Sequence, residues 1–136
     1  MKQAGVMLII KDGLILGITR RNDKTKYGLP GGKVEPGETP KEAAIRETFE
    51  ETSIRVKDCE LIYDRVELGN GPKGFDLHSF CYYATSWEGE PQKSEEGEVA
   101  WLTAQELIST KAAFASYNNQ NISYFKTKYP DIFLKE

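Results

Sequence analysis

Histidine is nearly missing from this 136-residue chain: His78 is the only one. A zinc centre or a histidine-based catalytic triad therefore has little material to draw on. Cysteine is almost as scarce. Cys59 and Cys81 lack ligand-like spacing and read as two buried or half-buried thiols. No apolar run approaches the roughly 20 residues of a membrane span. The N-terminal MKQAGVMLII meets Lys11-Asp12 too early to be a signal peptide. Neither sign of charge dominates, since 18 Lys and Arg against 21 Asp and Glu leave a net charge of −3. That is no footprint for non-specific nucleic-acid binding. Repeats, low-complexity runs and linkers are also missing. What remains is 39 % hydrophobic and 29 % charged, the composition of one globular domain over residues 1–136. A cytoplasmic setting with no membrane partner is the expectation, and a nucleic-acid partner is not expected.

Glycine and glutamate are what the chain has in quantity, and they meet in residues 28–54, GLPGGKVEPGETPKEAAIRETFEETSI. Thr39 with Glu42 three residues on makes a capping box, with Pro40 at the first helical position. The spacing predicts a helix from about Pro40 to about Thr52. At 100° per residue, Ile45, Thr48, Phe49 and Thr52 share one face, expected to pack on a core. Glu47, Glu50 and Glu51 share the opposite face. A glutamate-rich face is usually a solvated helix surface. Here the three lack a lysine partner at helical spacing, and like charges one turn apart repel. They also follow a Gly-Gly turn that can bring bare backbone close to a ligand. Clustered hard oxygens suit Mg²⁺ or Mn²⁺, which take a few carboxylates plus substrate phosphates. The residues alone leave both readings open.

The same stretch resembles the Nudix box, G-x5-E-x7-R-E-U-x-E-E-x-G-U, where U is bulky and apolar. Gly32 opens it, Glu38 follows, then Arg46-Glu47 and Glu50-Glu51, and Ile54 closes it. Leu29-Pro30-Gly31 matches what usually precedes the box. Two positions depart from the pattern. Thr48 stands where an aliphatic residue is usual, and Ser53 where glycine eases a left-handed helix exit. The resemblance implies an α/β fold, an α/β/α sandwich with a mixed β-sheet. It implies metal binding by Glu47, Glu50 and Glu51, with the backbone carbonyl of Gly31 joining the metal shell. By the same resemblance Arg46 orients the catalytic glutamates, Glu38 stands behind them, and Glu47 or Glu50 serves as general base.

Elsewhere, residues 4–10 read as a buried strand, Asp12-Gly13 as a hairpin turn and residues 14–19 as the return strand. Arg20, Arg21, Lys24 and Lys26 then fall in a polar loop. Either the loop is simply solvated or one or two of these bases meet substrate phosphates, with Arg20 and Arg21 favoured by their place at the strand end. Lys33, beside the Gly-Gly pair in an expected short strand at 33–35, is a further substrate-binding candidate. Residues 54–67 read as an extended strand with a bend at Lys57-Asp58, residues 69–74 as a loop, and 75–87 as a strong strand. A polar loop with Glu95, Glu96 and Glu98 precedes EVAWLTAQEL, a short strand and a helix capped by Thr103 and Glu106. That segment resembles its counterpart in MutT-like Nudix proteins, which implies an extra metal ligand or base there. Glu98 is the choice, with Glu95 and Glu96 next. A last helix is expected from about Asn119 to Lys128, with one of Asn118, Asn119 and Asn121 as its N-cap. The MutT resemblance implies an asparagine near here that reads the nucleobase, and Asn119 fits by position.

A MutT-like (d)NTP pyrophosphohydrolase, releasing a nucleoside monophosphate and pyrophosphate, is the expected activity. The runner-up is an ADP-ribose or dinucleoside polyphosphate hydrolase, although Asn70 and Pro72 match neither subfamily marker. A silent nucleotide-binding regulatory domain is the alternative from another class, and an RNA 5′-end pyrophosphohydrolase is disfavoured by charge. Either a monomer or a homodimer fits. Tyr124, Phe125, Tyr129, Ile132 and Phe133 are better read as the tail helix docking on its own core than as an interface.

Overall fold

The computed structural model describes residues 1–69, 74, 76–109 and 112–132. The chain forms β1 (Lys2–Leu8), β2 (Ile10–Lys11), β3 (Leu14–Arg20), β4 (Asp23–Gly28), β5 (Gly31–Lys33) and α1 (Pro40–Thr52). Then come β6 (Arg55–Glu67), β7 (Leu77–Glu88), β8 (Val99–Leu102), α2 (Ala104–Ile108) and α3 (Ala115–Lys128). The larger sheet has the order β5-β1-β7-β6. Its β1–β7 pair is parallel and the other two pairs are antiparallel, so the sheet is mixed. In the second sheet β3 pairs antiparallel with β2, β4 and β8.

Strand alternation divides the core in two. Met7 and Tyr82 pack in one cluster with Ala44 of α1, together with Ile9, Leu16 and Ile54. Their chain neighbours Leu8 and Cys81 point the other way, into a cluster with Leu107 of α2 and Ile122 and Phe125 of α3. The larger sheet thus stands between α1 and α3, an α/β/α arrangement. Among the described residues no helix is long and apolar enough to cross a membrane.

The α1 boundaries agree with the expectation. Glu42 N–H donates to Thr39 Oγ1 at 3.1 Å, and Thr39 N–H donates back to Glu42 Oε1 at 2.9 Å. The packed face differs in one position. Ala43, Ala44, Thr48 and Thr52 are buried, whereas Phe49 is 43 % exposed, its ring covered by the Arg55 guanidinium at 4.5 Å. Small residues win this face because α1 lies so close to the sheet. A Cβ on Gly5 of β1 would stand 2.3 Å from the Pro40 carbonyl oxygen. Ser53 holds the left-handed exit, φ 68°, that its glycine-like position implied.

Three local expectations are corrected. The polar loop after β3 is a hairpin, with Asp23–Gly28 pairing back on β3 past a bulge at Thr19/Arg20. Its lysines and threonine alternate on an exposed strand, a pattern that resembles loop composition. The last helix starts four residues early, at Ala115. Asn118 and Asn121 are therefore interior helix positions rather than caps, and the N-cap residue is Phe114, which makes no side-chain cap. The expected 33–35 strand shifts upstream to Gly31–Lys33. The bend at Lys57-Asp58 coincides with register breaks at Val56/Asp58 and Asp58/Cys59, and a further break falls at Leu61/Tyr63. Phe125 is fully buried, and Tyr129 and Ile132 pack beside it. Tyr124 is exposed and stacks on Tyr63 at 4.5 Å. Asn70, Pro72 and Phe133 lie outside the described residues.

Candidate active site

The Gly-Gly turn and α1 are joined by backbone. Gly31, at φ 153°, directs its N–H to Glu51 Oε1 at 2.8 Å. No side chain fits here, because a Cβ would meet the Gly5 carbonyl oxygen at 2.2 Å. Gly32 faces Glu47 so closely that a Cβ would sit 2.7 Å from the Glu47 carboxyl carbon. The two glycines let bare strand backbone lie directly against two carboxylates.

Arg46 organises the rest. Its Nε and Nη2 grip Glu38 at 2.8 and 3.0 Å. Nη1 donates to Glu47 Oε1 at 2.8 Å and reaches Glu50 Oε2 at 3.4 Å. Nη2 also donates to the Lys33 carbonyl at 3.2 Å, which ties β5 to α1. The Arg46 grip, with help from the Glu35 N–H, holds Glu38 down to about 2. Glu38 thus stays charged and anchors the arginine that aims Glu47 and Glu50.

Glu51 is the opposite case. Burial is the main cause that pushes its carboxyl up to about 8, and the charges of Glu47, Glu96 and Glu50 add to it against the single Gly31 hydrogen bond. Glu47 is also raised, first by burial, with Arg46 opposing and Glu50 and Glu96 assisting. A half-buried carboxyl with one donor and three like-charged neighbours is a poor resting place for a negative charge and a good one beside a cation. Among the described residues no three ligating side chains converge closely enough to enclose an ion. The oxygens of Glu47 and Glu50 are turned toward Arg46. The donor set nevertheless suits a hard divalent cation, which Glu47, Glu50 and Glu51 could hold once their side chains turn together.

The loop before β8 approaches the carboxylates from the second sheet. Of its glutamates, Glu96 is the one whose charge is felt at Glu47 and Glu51, and it pairs with Arg21. Glu98 has an exposed side chain. Its backbone N–H bonds Thr19 Oγ1 at 2.9 Å, and its carbonyl accepts from Thr19 N–H at 2.9 Å. Sequence spacing could not separate two glutamates that flank the buried Gly97.

The other candidates scatter. Arg20 lies over the Phe114 ring at 4.8 Å. Lys33 is exposed and borders an open groove of about 670 Å³ against the chain's first three residues. Asn119 sits on the exposed face of α3. Asn118 is structural, its Nδ2 bonding the carbonyls of Leu107 and Ala113 at 2.8 Å each. Asn121 is fully buried, and the buried Tyr117 hydroxyl lies against it and against Ser79. Arg65 crosses the Tyr117 ring at 4.9 Å, holds Glu67 and Gln120, and leaves its buried Nε–H without an acceptor. The sequence signal for this polar cluster was weak. Tyr117 and Asn121 are one helical turn apart, but the run NNQN obscured which member faces inward.

The sequence model of the NUDIX domain matches residues 1–123. The chain is 31 % identical over 105 residues to an 8-oxo-dGTP diphosphatase of Escherichia coli K12, covering 74 % of this chain and 79 % of that one. It is 36 % identical over 112 residues to a MutT-like protein of Streptomyces ambofaciens, covering 80 % and 67 % respectively. Among solved structures, the E. coli ORF135 protein superposes with a TM-score of 0.78 at 23 % identity, over 96 % of this chain and 94 % of that one. A MutT NUDIX hydrolase of Burkholderia pseudomallei gives 0.73 at 24 %, over 89 % and 97 %.

Proposed function

The chain belongs to the NUDIX family and is a Nudix hydrolase; from that premise we propose that it hydrolyses nucleoside triphosphates to the monophosphate and pyrophosphate in a divalent-cation-dependent, MutT-like reaction. The observation that carries this reading is Glu51, a half-buried carboxyl pressed against glycine backbone with Glu47 beside it and Arg46 fixed behind. The reading gains from the relatives named as 8-oxo-dGTP diphosphatase and MutT-like protein.

Glu47, Glu50, Glu51 and the Gly31 carbonyl would hold the cation, Mg²⁺ or Mn²⁺, with Glu96 ahead of Glu98 as the contribution of the loop. When bound, the cation supplies charge neutralisation at the phosphates and a lowered pKa for an attacking water. Arg46 restricts Glu47 and Glu50 to one orientation. Either can then accept the proton as water bonds to phosphorus and the P–O bond to the leaving pyrophosphate breaks. Arg21, paired with Glu96, and its neighbour Arg20 would meet the phosphate chain. Arg21 exchanges its Glu96 partner for a phosphate oxygen, which frees Glu96 toward the other carboxylates. The cytoplasm, where nucleoside triphosphates are plentiful, belongs to the same proposal.

The test is a substrate panel with Mg²⁺: the eight common (d)NTPs, 8-oxo-dGTP, ADP-ribose, a dinucleoside tetraphosphate and triphosphate-ended RNA, with Glu51→Gln alongside. Release of pyrophosphate from one triphosphate class, reduced on the order of 100-fold in the variant, is expected. Turnover of ADP-ribose or the tetraphosphate alone would replace the substrate class. Tight nucleotide binding with no turnover of anything would make this a silent binding domain.

A further inference from the structure

The larger sheet ends on one side in β5, against the carboxylates, and on the other in β6, which among the described residues pairs with β7 alone. An outer strand offers its free backbone donors and acceptors to another strand, and natural edges are blunted by bulges, proline or lysine. The first half of β6 is blunted in this way. Its pairing with β7 breaks at Val56/Asp58, Asp58/Cys59 and Leu61/Tyr63. From Tyr63 to Glu67 the pairing runs without a break, opposite Cys81 to Leu77, and neither proline nor lysine interrupts it.

Apolar side chains collect along the same edge. Four of the seven exposed large hydrophobic residues are Leu61, Val66, Leu68 and Tyr124. The first three belong to β6 or follow it directly, and Tyr124 of α3 stacks on Tyr63. Val66 is 46 % and Leu68 64 % exposed. The carboxylate of Asp64 is engaged by His78 Nε2 of its own sheet at 2.7 Å, and Arg65 holds Glu67.

This segment is self-complementary in one register. Directly opposed residues share a sheet face, so a two-fold axis between antiparallel copies must pass through a residue, not between two. Centres on Asp64, Arg65 or Glu67 would each set a charge against its own copy, and a centre on Tyr63 would run into the bulge. A centre on Val66 sets valine on valine and places Arg65 opposite Glu67 of the second copy, twice over.

We propose that this edge is a homodimer interface, in which two copies pair antiparallel through residues 64–68 about a two-fold axis at Val66. Two four-stranded sheets then join into one continuous sheet. The carboxylates lie at the opposite outer strand, so both sites stay open and the inference does not rest on the hydrolase reading. The paired strip is short, which puts the dimer among weak associations, with a Kd on the order of 1–100 µM.

Sedimentation equilibrium of the full chain tests it. Over about 1–300 µM, the weight-average mass rises from 15.4 kDa toward twice that value. Val66→Lys keeps the wild-type circular dichroism and stays at 15.4 kDa throughout. Val66→Cys under mild oxidation forms a linked dimer, because opposed Cα atoms about 4.5–5.5 Å apart suit a disulfide. Leu61→Cys, equally exposed, stands about 33 Å from its counterpart in this register and cross-links at least tenfold more slowly. A wild type that remains monomeric across the range overturns the proposal. So does a dimer that survives Val66→Lys, or cross-linking of Leu61→Cys as fast as Val66→Cys. Turnover per chain in Val66→Lys stays within about twofold of wild type. An absence of turnover in both removes the hydrolase reading and leaves the mass measurement to decide the interface.

Discussion

Removing the charge of Glu51 should stabilise the cation-free protein, although the same change should abolish most activity. An unfolded carboxyl ionises near 4.5, and burial beside Glu47, Glu96 and Glu50 lifts the folded group to about 8. The folded state therefore keeps a proton that the unfolded chain releases. The stability this group contributes is complete below 4.5 and is lost as pH rises to about 8. At 1.36 kcal/mol per tenfold, the ceiling is about 5 kcal/mol. Water entry and side-chain relaxation around a group near the surface reduce that to about 1–3 kcal/mol. Glu51→Gln keeps an oxygen for the Gly31 N–H and removes the titration. Chelator-treated wild type and variant are unfolded with urea at about pH 5.5, 7 and 8.5. Wild type should weaken steadily across the series relative to the variant, with the variant ahead at the highest pH. A variant equal to or less stable than wild type at about pH 8.5 would refute the reasoning, since it would mean that the ionised carboxylate is already well accommodated without a cation.

Glu96→Gln should cost at least tenfold more kcat than Glu98→Gln, measured as pyrophosphate release; equal losses would contradict the placement of the two side chains. Arg46→Lys keeps the charge but loses the fork that spans Glu38, Glu47 and Glu50. It should lower kcat by about 10–100-fold with KM little changed, and the loss should exceed that of any single exposed-lysine variant in the same assay. Ser53→Gly relieves a left-handed residue at φ 68° and should raise stability by about 1 kcal/mol in denaturant melts with activity retained.

The helix that carries the carboxylates was readable because every determinant is local. A capping box, a proline at the first turn and an i, i+3, i+4 glutamate pattern all lie within 13 residues. Which glutamate of the 95–98 loop faces the site was not readable. That choice depends on how β8 registers on β3, with Ile18 opposite Val99, a pairing between residues far apart in sequence. Asn119 illustrates the same limit on a helix. An error of four residues in the start of α3 does not alter its faces, but nothing in NNQN says that Asn118 and Asn121 point inward. The head of α3 at Phe114 was invisible for another reason, since a left-handed backbone angle, φ 56°, has no composition signature when the residue is neither glycine nor asparagine. The hairpin at β4 was hidden by strand residues that never enter a core.

The partition of the core by the larger sheet has a bearing on how such a protein can be inherited and altered. The cluster that seats α1 and the cluster that seats α3 have no buried side chain in common. Changes that reshape α3 are therefore felt on one side of a stiff partition, and the carboxylates on the other side keep their footing. Substitutions confined to the α3 cluster should therefore shift stability without moving the carboxylates carried by α1.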